Sequence, residues 1–124
     1  MYLPGGRAPE YLRLNKKVVE YVKYFLENDK PIAVICHGIQ FLVAAGSLKD
    51  KKLTCYPACS IDAKVAGADY QEIGVDKAIV DGNIVSAVAW PGHADLLSKF
   101  IGILGVTISH KSKKDWWDLI NLVF

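Results

Sequence analysis

Cys36, His37 and Gly38 stand together at the end of an apolar run, Pro31-Ile32-Ala33-Val34-Ile35. A run of β-branched and small apolar residues reads as a strand buried on both faces. Gly38, followed by Ile39-Gln40-Phe41-Leu42-Val43-Ala44-Ala45, reads as a sharp turn into a helix. A cysteine at that junction is held proud of the sheet, with its sulfur near the positive end of the new helix, where a thiolate is favoured. This is the cysteine form of the nucleophile elbow, whose serine form also places glycine two residues after the nucleophile. Attack by such a thiolate on an aldehyde gives a hemithioacetal, and attack on an amide gives an acyl-enzyme. Where the aldehyde carries a neighbouring carbonyl, a base can then move a proton between the adjacent carbons. A buried cysteine can also serve simply as a small hydrophobe, but the elbow pattern favours the nucleophile. His37 points away from Cys36 if the chain stays extended, and returns to the same opening if the turn is strained. There it is a base or a thiolate-stabilising cation; otherwise it is a turn histidine bonded to backbone.

Four other groups are candidates. Gly5 and Gly6 offer adjacent backbone N–H groups that can bind a developing oxyanion, and a tight turn explains them equally well. Their loop matches neither a Walker phosphate loop nor a Rossmann fingerprint. Glu10, taken alone, reads as a solvated carboxylate near a helix start. His93-Ala94-Asp95, after Trp90-Pro91-Gly92, is a His-x-acid arrangement resembling the glutamine amidotransferase triad, or a polar helix start. Cys55-x-x-x-Cys59 has no second ligand pair at metal spacing, so both read as core or near-surface thiols. No metal and no cofactor is expected.

These residues need elements to hold them. From Asn15 to Asn28 the residues Val18, Val19, Val22, Phe25 and Leu26 recur at helical spacing, with Lys16, Lys17, Glu20, Lys23 and Glu27 opposite, which predicts an amphipathic helix capped by Asn15. The elbow helix should stop at Gly46. Leu53–Tyr56 reads as a short strand, and residues 60–67 as a short helix with a serine cap and a glycine end. Lys77–Val80 and Ile84–Ala87 read as a hairpin around Asp81-Gly82. Leu96, Leu97, Phe100, Ile101 and Leu104 mark a second amphipathic helix, ended by Gly105. The buried strand 31–36 needs a neighbour on each edge and a helix on each face. Leu53–Tyr56 is the expected neighbour on one side. The stub Met1-Tyr2-Leu3 is all that offers itself for the other. The chain therefore reads as the later part of a larger α/β domain whose earlier strands are deleted or come from another chain.

The chain has 124 residues, 52% of them hydrophobic and 23% charged, with a net charge of +2. That is one ordinary globular domain by length. The charge is too small, and the basic residues too scattered, for a nucleic-acid partner. No apolar run approaches the about 20 residues of a membrane span, and Met1-Tyr2-Leu3-Pro4 does not read as a secretory leader. An odd number of cysteines argues against a disulfide framework and fits a reducing, cytoplasmic setting. The tail, residues 109–124, is polar and then strongly apolar, with docking on the chain's own core as the favoured reading.

Leu3-Pro4-Gly5-Gly6-Arg7-Ala8-Pro9-Glu10-Tyr11-Leu12 and Ala33-Val34-Ile35-Cys36-His37-Gly38 resemble the DJ-1/PfpI superfamily, in its PfpI-type and plant glyoxalase-type branch. So do Leu53-Thr54-Cys55-Tyr56-Pro57-Ala58, Val80-Asp81-Gly82-Asn83-Ile84-Val85 and Ala89-Trp90-Pro91-Gly92-His93. The likeness covers about residues 2–108, a partial domain on residues 1–108, and leaves 109–124 as an extension. It implies a flavodoxin-like three-layer α/β sandwich with a mostly parallel sheet, its N-terminal strands absent, and a homo-oligomer. It implies Cys36 as nucleophile, His37 as its partner, and Glu10 orienting His37 from a neighbouring subunit. Gly5 and Gly6 would line an oxyanion hole, with Gly38 and His93 at the pocket. The activity implied is that of a glutathione-independent glyoxalase or deglycase acting on small dicarbonyls, or else a cysteine peptidase using Cys36, His37 and Glu10. An acidic residue that relatives carry before the Pro-Gly-Gly segment has no counterpart here, which leaves a non-catalytic or redox-responsive module as a third reading.

Overall fold

The computed structural model describes residues 1–46 and 48–109. The tail expectation for 110–124 lies outside the described residues.

The centre of the molecule is a four-stranded sheet in the order β1-β2-β6-β5, made of β1 (Tyr2–Leu3), β2 (Ile32–Ile35), β5 (Ala78–Asp81) and β6 (Ile84–Ala87). β1 and β6 both run parallel to β2, and β5 is antiparallel to β6. All four residues of β2 are buried, as its unbroken apolar sequence requires. Alternation along the strand divides them. Ile32 and Val34 face one core with Leu3 and Ile84, while Ala33 and Ile35 face the other with Val85 and Ala87. Each large aliphatic side chain so buried contributes roughly 1.5–3 kcal/mol.

Helices cover both faces. α2 (Lys16–Glu27) and α3 (Ile39–Ala45) pack with the first core through Val22, Ile39, Phe41 and Leu42. The Asn15 side chain caps α2, accepting from the N–H groups of Lys17 at 3.0 Å and Val18 at 3.4 Å, as expected. At its other end Asp29 turns left-handed at φ 49°, the Lys30 N–H reaches the Phe25 carbonyl at 2.9 Å, and Pro31 blocks any continuation. α5 (His93–Ile103) covers the opposite face with Leu96, Phe100 and Ile103. Leu97 and Leu104, expected in that buried stripe, are instead exposed. The spacing 96, 100, 103 already fills the sheet-facing side, and the alternative stripe 97, 101, 104 falls about 100° around the helix. Two short helices, α1 (Ala8–Leu12) and α4 (Ser60–Val65), complete the described fold.

The neighbour expected for β2 is corrected. Leu53–Tyr56 does not pair with it; β3 (Lys52–Leu53) pairs with β4 (Asp69–Tyr70) in a separate two-stranded sheet. β6 takes the place beside β2 because it too is buried at every position, whereas Lys52 is exposed. The Leu53–Tyr56 segment is tethered alongside by the Lys52 N–H donating to Asp81 at 2.7 Å and the Thr54 N–H donating to the Ser86 hydroxyl at 3.0 Å. The hairpin forms as expected, but its two connecting residues are Gly82 and Asn83, since Asp81 pairs with Ile84. Positive φ at Gly82 alone, 55°, is the pattern of a type II′ turn. Ser60 does not cap α4 through its side chain; the turn Pro57–Cys59 leads into the helix.

Candidate active site

β2 ends where the chain must turn, and the turn is made by the cysteine. Cys36 adopts φ 60°, a left-handed conformation costly for a residue with a Cβ. The sharp turn into a helix expected at Gly38 is present, with the left-handed angle at Cys36 and a helical φ of −55° at Gly38. What Gly38 supplies is space. A Cβ there would lie 2.5 Å from the Leu3 carbonyl oxygen and 2.9 Å from that of Pro4. Residues 36–38 form a single tight turn that continues into α3.

The strained turn brings two neighbouring side chains to one opening. Cys36 Sγ lies 3.3 Å from His37 Nδ1. The imidazole stacks on the Tyr56 ring, with centroids 4.7 Å apart and planes at 24°, and the Tyr56 N–H donates to the Cys36 carbonyl at 3.4 Å. A thiol and an imidazole at this distance can exchange a proton and hold a thiolate–imidazolium pair.

The Pro4-Gly5-Gly6 loop closes over the cysteine from β1. A Cβ on Gly5 would lie 2.7 Å from the Cys36 Cβ and 3.2 Å from Sγ, so only glycine lets this backbone approach the sulfur. Gly6 is left-handed at φ 77°. Among the described residues, no carbonyl or side chain accepts from the N–H of Gly5 or Gly6, and both glycines line the cavity at Cys36.

The resulting cavity, about 470 Å³, is lined by Tyr2, Pro4, Gly5, Gly6, Ile35, Cys36, His37, Tyr56, Trp90 and His93. His93 opens α5, with Nδ1 2.9 Å from the Trp90 carbonyl and Nε2 2.9 Å from the Tyr2 hydroxyl. Asp95 does not join it. Its carboxylate accepts from the Ala78 N–H at 2.8 Å and from Lys99 at 2.7 Å, so no His93–Asp95 couple faces the cysteine. Glu10 lies on the exposed side of α1, 3.9 Å from the Arg7 guanidinium, and makes no hydrogen bond to His37 among the described residues. Cys55 and Cys59 are buried away from solvent. Burial pushes the Cys55 thiol up to about 12, with Cys59 and Asp62 adding to it, and burial raises Cys59 as well. Among the described residues no cluster of three metal-ligating side chains occurs, and no helix is long and apolar enough to cross a membrane.

Sequence reasoning missed Tyr2, Tyr56 and Trp90 as parts of this cavity. Tyr2 begins β1, while Tyr56 and Trp90 stand just before the proline turns at Pro57 and Pro91, and their meeting at Cys36 becomes legible only once the strand order is known.

The chain belongs to the DJ-1/PfpI family, whose description matches residues 1–102. It is 46% identical over 110 residues to Protein DJ-1 homolog D of Arabidopsis thaliana, covering 88% of this chain and 28% of that protein. Over 87 residues it is 47% identical to a deglycase of Pyrococcus abyssi, covering 70% of this chain and 51% of the relative. The chain thus spans about half or less of the length of these relatives. Among solved structures it resembles a two-domain protein from Anabaena variabilis containing DJ-1/ThiJ/PfpI-like and ferritin-like domains. That likeness has a TM-score of 0.77 at 34% identity, over 97% of this chain and 35% of that one. A further likeness, to Drosophila melanogaster DJ-1beta at TM-score 0.70 and 23% identity, concerns the flavodoxin-like fold alone.

Proposed function

We propose that this chain is a cysteine-dependent enzyme of DJ-1/PfpI type, acting on small reactive dicarbonyls as a glutathione-independent glyoxalase or deglycase. The observation that carries the reading is the 3.3 Å approach of Cys36 Sγ to His37 Nδ1 at a left-handed elbow. The thiolate adds to an aldehyde carbon, and the carbonyl oxygen becomes the hydroxyl of a hemithioacetal by taking the proton held on His37. While that oxygen carries charge, the N–H groups of Gly5 and Gly6 are its donors. The cavity has room for a small dicarbonyl beside Cys36, and the deglycase names of the relatives support the class.

A second reading, an intracellular peptidase or amide hydrolase with Cys36, His37 and Glu10, draws on one feature. The His37 Nε2 has no hydrogen-bond partner among the described residues, and in a homo-oligomer the Glu10 carboxylate of a second copy would meet it. The three free thiols fit a reducing cytoplasm.

Incubation of the purified chain with methylglyoxal, with D-lactate as readout, beside a fluorogenic peptide assay, separates the two. D-Lactate without peptide cleavage is the expected result. Peptide cleavage without D-lactate overturns the glyoxalase reading in favour of the second.

A further inference from the structure

Two imidazoles open onto the Cys36 cavity, and one of them does not touch the sulfur. His37 turns Nδ1 to Sγ. His93 has Nδ1 2.9 Å from the Trp90 carbonyl. A carbonyl only accepts, so Nδ1 carries the proton. In the neutral ring Nε2 is then the basic atom, and the Tyr2 hydroxyl, 2.9 Å away, donates to it. This direction leaves the lone pairs of Tyr2 Oη turned from His93, ready to accept a proton from a molecule in the cavity.

The backbone holds both partners in place. Tyr2 is fixed by β1 pairing, with its register opposite Ala33. His93 follows Gly92, where a Cβ would come within 3.1 Å of the Lys77 carbonyl and 3.2 Å of the Ala87 side chain. Partial burial raises the Tyr2 phenol above its ordinary 10.0, so it passes a proton as a hydroxyl rather than standing as a phenolate.

We propose that Tyr2 and His93 form a proton relay that activates water against an acyl thioester on Cys36. The proposal rests on the reading of Cys36 as nucleophile. Hydrolysis of an acyl-enzyme ends the peptidase reaction, and hydrolysis of a lactoyl thioester ends a glyoxalase reaction that passes through one. A water proton moves to Tyr2 Oη as the Tyr2 proton moves to His93 Nε2. The water oxygen adds to the thioester carbon. The C–S bond breaks with its electron pair going to Sγ, and the carboxylic acid leaves. The proton on His93 returns through Tyr2 to the thiolate, restoring the resting state. His37, stacked on Tyr56 and turned to the sulfur, serves the thiol proton; His93 serves the water.

Acetylation of the whole chain with p-nitrophenyl acetate tests the relay without any dicarbonyl. Nitrophenol release reads acylation, and intact-mass measurement reads loss of the acetyl group from Cys36. In Tyr2→Phe and in His93→Gln, acylation should stay near the wild-type rate while hydrolysis slows roughly a hundredfold. Hydroxylamine attacks a thioester without a base, so it should restore acetyl release in both variants. Wild-type hydrolysis in both variants, or slow release that hydroxylamine does not rescue, overturns the relay and leaves the nucleophile reading intact. If wild-type Cys36 takes up no acetyl group, the nucleophile reading falls and the relay falls with it. Circular dichroism checks each fold, and His93→Gln carries the test should Tyr2→Phe misfold.

Discussion

Gly38 and Leu3 meet backbone to backbone: a Cβ on Gly38 would lie 2.5 Å from the Leu3 carbonyl oxygen. The contact ties the edge strand to the elbow turn, and it fixes where the Pro4-Gly5-Gly6 loop can sit over Cys36. Neither partner can yield cheaply, because the Leu3 carbonyl belongs to a strand whose register is set opposite Val34.

Gly38→Ala should therefore destabilise the fold by about 3 kcal/mol, as overpacking against backbone does. Gly102→Ala is the control. Gly102 lies within α5 with nothing within 4 Å of its added Cβ, and alanine there should stabilise by roughly 0.5–1 kcal/mol through helix propensity. Urea denaturation of the two variants beside the wild type reads both signs.

The three thiols should separate by reactivity. Cys55 and Cys59 are buried and raised above the ordinary thiol value, Cys55 to about 12, so little thiolate forms at either near pH 8. Cys36 is partly open and faces the cavity. Brief treatment with iodoacetamide, followed by peptide mass spectrometry, should find the label on Cys36. An even spread over the three would contradict the described burial.

Asp95 gives a pH dependence. The Lys99 ammonium, first, and the Ala78 N–H, second, hold its carboxyl below the ordinary 3.8. A depressed acid releases its proton more readily in the folded state, so its contribution to stability is full above about pH 3.8 and is lost as pH falls through the lower folded value. Asp95→Asn should be less stable than wild type at neutral pH, with the gap closing in acid. Thermal melts of both proteins across pH 2–7 measure it; a gap that widens in acid would contradict the ion pair.

Much of the fold was legible from residue pattern. Asn15 capping, the buried β2 and the hairpin after Lys77 follow from local rules of spacing, capping and turn chemistry. The pairing of β2 with β6 was not, because Leu53–Tyr56 and Ile84–Ala87 are both short and apolar, and their competition is decided by burial on both faces at once. Within the site, Cys36 and His37 were legible as sequence neighbours at an elbow. Gly38 was legible as the turn into the helix; that the left-handed angle falls on Cys36 and that Gly38 makes room for the Leu3 carbonyl were not, because both depend on the packing of a distant strand. Tyr2, Tyr56 and Trp90 reach the cavity through strand order and turn geometry, which no local window contains.

The central claim is that Cys36 carries the chemistry. The direct measurement is D-lactate formation from methylglyoxal by the wild type beside Cys36→Ser, with both folds checked by circular dichroism. A hydroxyl at the elbow is a far weaker nucleophile than a thiolate, so the variant should lose essentially all activity while keeping its fold. Equal rates in the two proteins would contradict the account.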